Sequence, residues 1–404
     1  MALSTCDTSF THCNKVHRIM LLRLRSLRFF SIVAFIISLL LFIIFPPFHY
    51  SMLPLQKRPV HTLIVSSWRS GSSFLGQIFN HHPDVFYIFE PGHPIWMRFQ
   101  EEKAEVLHYP VRDLMRSFFN CDVSPLYSYL PEGGKNISEL KFFPETRALC
   151  FPPACSVSYP TEDYDRYQCS LHCGGISLKK MSEACKKYNH IVLKTVRILD
   201  LRVLLPLLYD PSLNLRIIHL VRDPRAVASS RRYFSLSIDD NIVVGNKQKG
   251  KKYKPSIVQV MSKICSAQVL IYKFARAARG LLDERYMLLR YEDLATQPDL
   301  NVREVYRFTG LSFLNSMKIW AYNITHNKVR NDGFMKYSMK SESVVQKWRG
   351  TMNFPVVKQI QQVCQEAMTL FGYLPLESET DQMNPFVNII GERIKDKNQN
   401  VEDK

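Results

Sequence analysis

Two short segments of the sequence carry residue types that could bind phosphate or sulfate groups. The first lies between an apolar run and a helical pattern and consists of Trp68, Arg69, Ser70, Gly71, Ser72, Ser73 and Phe74. A strand, turn and helix in this order point backbone N–H groups and a helix N-terminus at one place. The glycine permits close approach of an anion, while Arg69 and the serine hydroxyls supply further donors. The segment therefore predicts a phosphate cradle, with Arg69 as its catalytic cation.

The second segment follows the apolar run at residues 215–221 and opens another helical pattern. It consists of Arg222, Asp223, Pro224, Arg225, Ala226, Val227, Ala228, Ser229 and Ser230. Arg222 stands at the expected strand end and Ser230 about two turns into the helix, so both could flank one anion pocket. The alternative is that Arg222 and Asp223 form a local ion pair and that Ser230 is a buried helix serine.

Two further residues could act on a transferred group. Glu90 follows the strand-like run VFYIF, and Lys194 lies at the end of the run HIVLK. Strand ends of this kind meet at the carboxyl edge of a parallel sheet, where ligands bind. Glu90 is the candidate general base, His93 is the second candidate, and Lys194 is a candidate second cation. Alternatively, Glu90 only caps a helix or pairs with a basic residue.

The elements that must position these residues follow a repeated order. Continuous apolar runs at 61–67, 190–196, 215–221 and 285–291 predict strands that are buried on both faces. Helical patterns lie between them, at residues 73–79, 112–119, 201–208, 225–234 and 257–278. This alternation predicts an α/β fold with a central parallel sheet flanked by helices.

The N-terminal part predicts a membrane anchor. Residues 29–48 form an uncharged apolar run of the length that a membrane-spanning helix needs. Basic residues exceed acidic ones in residues 1–28, which the positive-inside rule leaves in the cytosol. A cleaved signal peptide is the alternative, but no small-residue cleavage site follows. We expect a single-pass type II protein with a short stem at 49–60 and a lumenal domain at 61–376.

Cysteines and sequons fit a lumenal location. Eight of the ten cysteines follow the apolar run, and five of them fall between Cys150 and Cys185. We expect disulfides that staple an insertion at about 124–187, with a zinc site that includes His172 as the alternative. Asn136 and Asn323 begin N-glycosylation sequons. Residues 377–404 are polar and are predicted to form a loosely ordered tail.

The overall charge favours anionic partners. The chain has 404 residues, with 53 Lys and Arg against 36 Asp and Glu, a formal net charge of +17. No zinc-finger spacing, RNA-binding aromatic pattern or block of basic residues indicates nucleic acid. The first cradle cannot be written as G-x-x-x-x-G-K-[ST], which disfavours a nucleoside-triphosphate kinase. No metal-ligand set is evident.

The order of these motifs resembles a known enzyme family. Residues 69–74 look like the 5′-phosphosulfate loop of sulfotransferases, and Arg222 with Ser230 resembles that family's 3′-phosphate-binding pair. The succession of SSWRSGSSF, HHPDVFYIFEP, LKTVR, RYEDLA and WRGTMNF is similar to the Golgi galactose/N-acetylgalactosamine/N-acetylglucosamine 6-O-sulfotransferases. The resemblance implies a P-loop-like sulfotransferase fold, 3′-phosphoadenylyl sulfate (PAPS) as donor, no metal, and type II anchoring in the Golgi membrane.

The resemblance also implies an acceptor, a glycan on a glycoprotein or proteoglycan. The Ser66-Ser67-Trp68 lead-in is most like the N-acetylglucosamine subgroup, which implies transfer to its 6-hydroxyl. Pro91 to Trp96 and Thr195 depart from that subgroup's pattern, although Trp96 could still stack on a sugar. Transfer to galactose or N-acetylgalactosamine, and a non-catalytic Golgi glycan-binding protein, stay open as alternatives, as does a homodimer.

Overall fold

The computed structural model describes residues 35–36, 59–130, 134, 136, 140, 143–156, 166–234, 236–245, 254–326 and 341–392. By its internal contacts the chain divides into two units, Met1–Lys57 and Arg58–Lys404. Every strand and helix named below belongs to the second unit.

A five-stranded sheet forms the centre of this unit. Its strands are β1 (Val60–Ser66), β2 (Val85–Phe89), β3 (His190–Thr195), β4 (Asn214–Val221) and β5 (Tyr286–Arg290). The spatial order is β2-β3-β1-β4-β5, and all neighbouring pairs are parallel. This confirms the predicted parallel sheet, with strand bounds that differ from the expected ones by about one residue.

Helices connect the strands. Among the described residues they are α1 (Ser72–Asn80), α2 (His93–Arg98), α3 (Ala104–Phe119), α4 (Arg166–Cys173), α5 (Leu178–Cys185), α6 (Leu205–Leu208), α7 (Pro224–Arg232), α8 (Ser237–Val244), α9 (Ile257–Ala277), α10 (Tyr291–Thr296), α11 (Pro298–Thr309), α12 (Asn315–His326), α13 (Ser341–Gln346), α14 (Phe354–Val363), α15 (Gln365–Phe371) and α16 (Glu379–Met383).

The sheet is buried on both faces because successive side chains point to opposite sides of a strand. Leu63 and Val65 of β1 enter one apolar cluster, while Ile64 between them enters the other. All three are completely buried. Burial of each such side chain stabilises the fold by about 1.5–3 kcal/mol, so the continuous apolar runs specify a doubly covered sheet.

Two helices differ from their predicted form. The helix predicted at 112–119 begins at Ala104 and continues through Pro110. The stretch predicted as one helix at 201–208 is a 3-10 turn at Leu201–Leu204 followed by the single turn of α6. Pro206 lies in the first turn of α6, where a missing backbone N–H costs little, and this favours a new helix start there.

The predicted loosely ordered tail is wrong for its first part. Residues 377–392 include α16, and Ile389 is 3% exposed. The Arg349 guanidinium donates to the carbonyl oxygens of Asp381, Gln382 and Asn384 at 3.1, 3.2 and 2.9 Å. The segment is attached both through these backbone carbonyls and through the buried Ile389, although its composition is largely polar.

All eight cysteines beyond the apolar run are paired. The disulfides are Cys121–Cys185, Cys150–Cys169, Cys155–Cys173 and Cys265–Cys364. The second and third lie within the expected insertion, which confirms the predicted stapling, and the first ties the insertion to the residues that follow α3. The thiols of the alternative zinc site are therefore used in disulfides.

No helix in the described part of the chain is long and apolar enough to cross a membrane. The span predicted at 29–48 lies outside the described residues except for Phe35 and Ile36. Its assignment stays a prediction.

The strand register brings the carboxyl ends of all five strands to one edge. Lys194 of β3 pairs with Ile64 of β1 and Phe89 of β2. Across the sheet, Ser66 of β1 pairs with Leu220 of β4. The loops that follow these strands carry the candidate functional residues, so the sheet gathers them along a single edge.

Candidate active site at the carboxyl edge of the sheet

The loop after β1 folds into a tight turn that opens α1. The Ser67 and Ser70 hydroxyls share a hydrogen bond of 2.6 Å, and the Ser70 N–H donates to the Ser67 carbonyl at 3.3 Å. The Phe74 N–H donates to the Gly71 carbonyl at 3.0 Å, which starts the helix. The backbone N–H groups just before Phe74 have no carbonyl acceptor within the helix, so they can donate hydrogen bonds to a bound anion.

The backbone of this turn uses left-handed conformations. Gly71, the N-cap of α1, has φ of 86°, and Arg69 has φ of 73° although it carries a side chain. A non-glycine residue in this region is strained by about 1–3 kcal/mol and persists where its surroundings hold it. This turn aims the Arg69 side chain towards the second segment.

The loop after β4 is fixed by a buried ion pair. Asp223 is the N-cap of α7 and accepts from the Arg225 N–H at 2.9 Å, and its carboxylate also pairs with the Arg225 guanidinium at 2.8 Å. Arg225 extends away to Gln361 and to the Leu374 carbonyl, both at 2.9 Å. Both charged residues are almost fully buried. They therefore shape the turn from the core side, and the local pair uses Arg225 rather than Arg222.

The two predicted segments meet, although about 150 residues separate them in sequence. Arg69 Nε donates to Ser230 Oγ at 2.9 Å. Arg222 Nη1 donates to the Arg69 carbonyl at 3.0 Å. The predicted pocket residues Arg69, Arg222 and Ser230 thus lie side by side, whereas Ala226, Val227 and Ala228 are buried in α7.

Positive charge accumulates where the segments meet. Burial, together with the neighbouring cations Arg222 and Arg231, lowers the pKa of Arg69 to about 10. Of these three arginines, Arg231 forms an ion pair with the Asp240 carboxylate in the described part of the chain. Within the described chain, Arg222 Nε is buried without a hydrogen-bond partner. Clustered guanidinium donors of this kind suit the oxygens of phosphate or sulfate.

A second cluster lies at the ends of β2 and β3. Glu90 has φ of 52°, and its N–H donates to the Lys194 carbonyl at 3.0 Å. Its two carboxylate oxygens contact different cations, Lys194 Nζ and Arg197 Nη1. Arg197 also lies over the ring of Trp68, with Cζ 4.3 Å from the centroid. Glu90 and Lys194, predicted separately, form one buried ion-pair cluster with Arg197.

Burial weakens the hold of the cluster's cations on their protons. It lowers the pKa of Lys194 to about 7, and the nearby charge of Arg69 acts in the same direction. It lowers the pKa of Arg197 to about 9. A bound anion would favour the charged form of Lys194, so this lysine is suited to respond to a donor with negative charge.

Several other predicted residues take simpler positions. Trp96 is fully buried, with its ring centroid 6.4 Å from that of Trp68, so it is a core residue rather than an exposed sugar platform. His93, the second candidate base, is half-buried at the start of α2. Asn136 forms an isolated antiparallel bridge with Ser177, and Asn323 lies in α12. The use of either sequon stays a prediction.

Sequence reasoning missed three residues of this edge. Arg197 follows β3 by two residues and completes the Glu90 cluster; its place after a strand end was the available signal. Tyr291 and Glu292 follow β5 and contact both anion-binding loops. Their segment RYEDLA entered the sequence analysis only through the family resemblance, and its place at a predicted strand end was the available signal here too. In the described part of the chain, no group of three His, Cys, Asp or Glu could hold a metal ion.

Comparison with known proteins identifies this arrangement. The family model described as "Sulfotransferase domain" matches residues 59–372. Carbohydrate sulfotransferase 4 of Mus musculus is 41% identical over 345 residues, covering 85% of this chain and 89% of that protein. Carbohydrate sulfotransferase 6 of Homo sapiens is 42% identical over 337 residues, which cover 82% of this chain and 85% of that protein. Carbohydrate sulfotransferase 7 of Rattus norvegicus is 32% identical over 366 residues, which cover 80% of this chain and 75% of that protein.

The chain belongs to the sulfotransferase family, whose domain spans the sheet and both anion-binding loops. Within that family it is a carbohydrate sulfotransferase, an enzyme that takes sulfate from PAPS and transfers it to a carbohydrate. The residues present fit this donor: Gly71, Arg69 and Ser230 form a cationic cradle, and the Arg222 guanidinium has donor capacity to spare. Residue types and geometry thus agree with the family.

Proposed function

We propose that the enzyme transfers sulfate from PAPS to the 6-hydroxyl of N-acetylglucosamine in glycoprotein or keratan-type glycans. The observation that carries the proposal is the meeting of Arg69 and Ser230 beside the Glu90 cluster at one sheet edge. A donor held by the two loops would present its sulfate towards Glu90 and Lys194. The Ser66-Ser67-Trp68 lead-in, typical of the N-acetylglucosamine subgroup, supports the acceptor assignment.

The proposed chemistry divides between the two regions. The donor supplies the sulfuryl group, and adenosine 3′,5′-bisphosphate remains after its transfer to the acceptor oxygen. Arg69 and the N-terminal amides of α1 hold the phosphosulfate end, while Arg222 and Ser230 hold the 3′-phosphate. Lys194 stabilises the negative charge that develops on the leaving phosphate. Glu90 accepts the proton of the sugar hydroxyl, so that the attacking oxygen gains nucleophilicity as its bond to sulfur forms.

The present contacts of Glu90 bear on this role. Each of its oxygens faces a cation, so the carboxylate is a weak acceptor while both contacts persist. Lys194 is the cation whose charge a bound donor would change, because its pKa is about 7 and the nearby charge of Arg69 already acts on it. Movement of Lys194 towards the donor would leave one Glu90 oxygen available to the hydroxyl proton.

The test uses the full-length chain in detergent with labelled PAPS. Acceptors that end in N-acetylglucosamine, galactose or N-acetylgalactosamine are compared, and the sulfated position is mapped. We expect transfer to O6 of N-acetylglucosamine and its loss in Glu90→Gln. Transfer to another sugar would replace the acceptor assignment with one of the alternatives. Binding of adenosine 3′,5′-bisphosphate without any transfer would favour a non-catalytic glycan-binding protein.

We further propose type II anchoring in the Golgi membrane with the catalytic domain in the lumen. Support comes from the apolar run at 29–48, the preceding basic residues and the sequons at Asn136 and Asn323. Four disulfides suit an oxidising compartment. Protease protection of sealed Golgi vesicles tests this proposal: residues 59–392 should be protected, and digestion of that domain would contradict it.

A further inference from the structure

Tyr291 lies against both anion-binding loops. A Cβ atom added at Gly71 would overlap the Tyr291 ring, so the glycine backbone rests directly on that ring. The Phe74 ring meets it edge-on, with centroids 6.4 Å apart. From the other loop, Arg222 Cζ lies 4.4 Å from the Tyr291 ring centroid. One buried aromatic ring thus supports the first loop and the principal cation of the second.

Glu292, the next residue, fixes the second loop through hydrogen bonds. Its Oε1 accepts from the Asp223 N–H at 3.0 Å, directly after Arg222. Its Oε2 accepts from the Tyr373 hydroxyl at 2.9 Å, which sets the carboxyl orientation. Glu292 is 1% exposed, so no solvent replaces either contact. A buried N–H that loses its acceptor is costly, which makes Glu292 the group that holds this turn in place.

We propose that Tyr291 and Glu292 are positioning residues that couple the two anion-binding loops, so that a donor's phosphosulfate and 3′-phosphate are bound as one unit. This inference rests on the proposed roles of Arg69 and Arg222. Neither Tyr291 nor Glu292 needs to contact the donor. Tyr291 sets the distance between the Gly71 turn and the Arg222 guanidinium, while Glu292 sets the direction in which the Arg222 turn leaves β4.

A ratio of two nucleotide affinities distinguishes this coupling from a general contribution of Tyr291 and Glu292 to core packing. Adenosine 3′,5′-bisphosphate and adenosine 5′-monophosphate differ only by the 3′-phosphate, so their affinity ratio measures what the second loop contributes. Loss of general stability would lower both affinities together or lower only the melting temperature. Misplacement of the Arg222 turn would lower this ratio and raise the KM for PAPS, with the kcat and the acceptor KM unchanged.

The experiment measures both affinities by calorimetry on the full-length chain. Glu292→Ala should weaken adenosine 3′,5′-bisphosphate binding about tenfold and reduce the ratio by a similar factor. Tyr291→Leu should weaken both nucleotides, because Tyr291 also supports the Gly71 turn, and should still reduce the ratio. Glu292→Gln retains an oxygen acceptor for the Asp223 N–H, and Tyr291→Phe retains the ring. Both should stay within about threefold of the parent, which is the rescue that a positioning role predicts.

A matched pair of milder variants covers the case in which Glu292→Ala fails to fold. Tyr373→Phe removes the hydroxyl that orients Glu292, and Tyr286→Phe removes the hydroxyl of a half-buried tyrosine, which is hydrogen-bonded to His219 at 2.6 Å at the start of β5. We expect a reduced ratio in Tyr373→Phe only. Equal ratios in all folded variants would overturn the coupling while leaving the proposed function intact. Failure of the parent to bind adenosine 3′,5′-bisphosphate would instead contradict the proposed roles of Arg69 and Arg222.

Discussion

The two halves of the active-site edge differ in how their charges are balanced. The ends of β1 and β4 bring together three cations, Arg69, Arg222 and Arg231. Among the described residues, Arg231 forms an ion pair with the Asp240 carboxylate. At the ends of β2 and β3, Lys194 and Arg197 both contact Glu90, so the cations there share a buried counter-charge. The first half has positive charge to offer an incoming anion, whereas the second half is partly neutralised within the protein.

This difference separates binding from chemistry. Clustered guanidinium groups gain most from a bound phosphate, because the anion offsets their mutual repulsion and accepts charge-assisted hydrogen bonds. A buried ion-pair cluster gains most from a rearrangement that frees one partner, because each group alone is poorly solvated. Substitutions in the first half should therefore act on donor affinity, and substitutions in the second half should act on turnover.

The largest effect is expected in the second half. Glu90→Gln should lower the kcat about 10²–10⁴-fold, because an amide cannot accept the hydroxyl proton. Steady-state kinetics with saturating PAPS measure this loss. Asp200→Asn, which alters a partly exposed carboxylate paired with Arg202, is the control and should keep the parent kcat. A Glu90→Gln enzyme with nearly full turnover would assign the base to another residue, such as His93.

The next largest effect is expected in the first half. Arg222→Ala should weaken adenosine 3′,5′-bisphosphate binding about 10²-fold, since charge-assisted hydrogen bonds to the 3′-phosphate are lost. Titration calorimetry gives the affinity, with Arg202→Ala, an exposed arginine, as the matched control. Unchanged affinity in Arg222→Ala would remove this residue from the donor pocket.

The pH profile sharpens the comparison further. Burial lowers the pKa of Lys194 to about 7 in the free enzyme, so the parent kcat/KM for PAPS should fall as the pH rises through this value and the ammonium loses its proton. Lys194→Arg keeps its charge, because the guanidinium pKa is much higher. Its kcat/KM at the pH optimum should be lower, but the alkaline decline should move upward. The same alkaline limb in both enzymes would show that another group titrates.

The smallest effect concerns stability. Burial and the nearby Asp223 carboxylate raise the pKa of Glu292 to about 7, so the folded state binds this proton more tightly than the unfolded chain. Its stabilising contribution is complete at low pH and disappears as the pH rises through about 7. Relative to Glu292→Gln, the parent should lose about 1 kcal/mol of unfolding free energy between pH 6 and pH 8. Denaturant titrations at both values measure the difference, and parallel pH dependence would contradict it.

The sheet and both anion-binding loops could be predicted because local patterns specify them. Continuous apolar runs of strand length favour a doubly buried strand, and Gly71 or Pro224 marks the turn that follows. The approach of Arg69 to Ser230 was not predicted, because it depends on the strand order that places β1 beside β4. For the sheet and the loops themselves, sequence pattern and structure agree.

The support behind the site could not be predicted. Arg197 is fully buried against Glu90, although arginine usually lies at the surface, and only the fold shows the counter-charge that permits this. Tyr291 and Glu292 act through a glycine backbone and a backbone N–H, which leave no residue pattern in the sequence. The disulfide Cys265–Cys364 joins residues 99 positions apart, a pairing that spacing alone does not specify.

The central claim is that donor binding and sulfate transfer are assigned to separate halves of one edge. The most direct measurement determines adenosine 3′,5′-bisphosphate affinity and kcat at saturating PAPS for the same two variants, Arg222→Ala and Glu90→Gln. We predict opposite patterns: Arg222→Ala loses affinity and keeps most of its turnover, while Glu90→Gln loses turnover and binds the nucleotide within about threefold of the parent. Equal loss of both quantities in both variants would contradict the division.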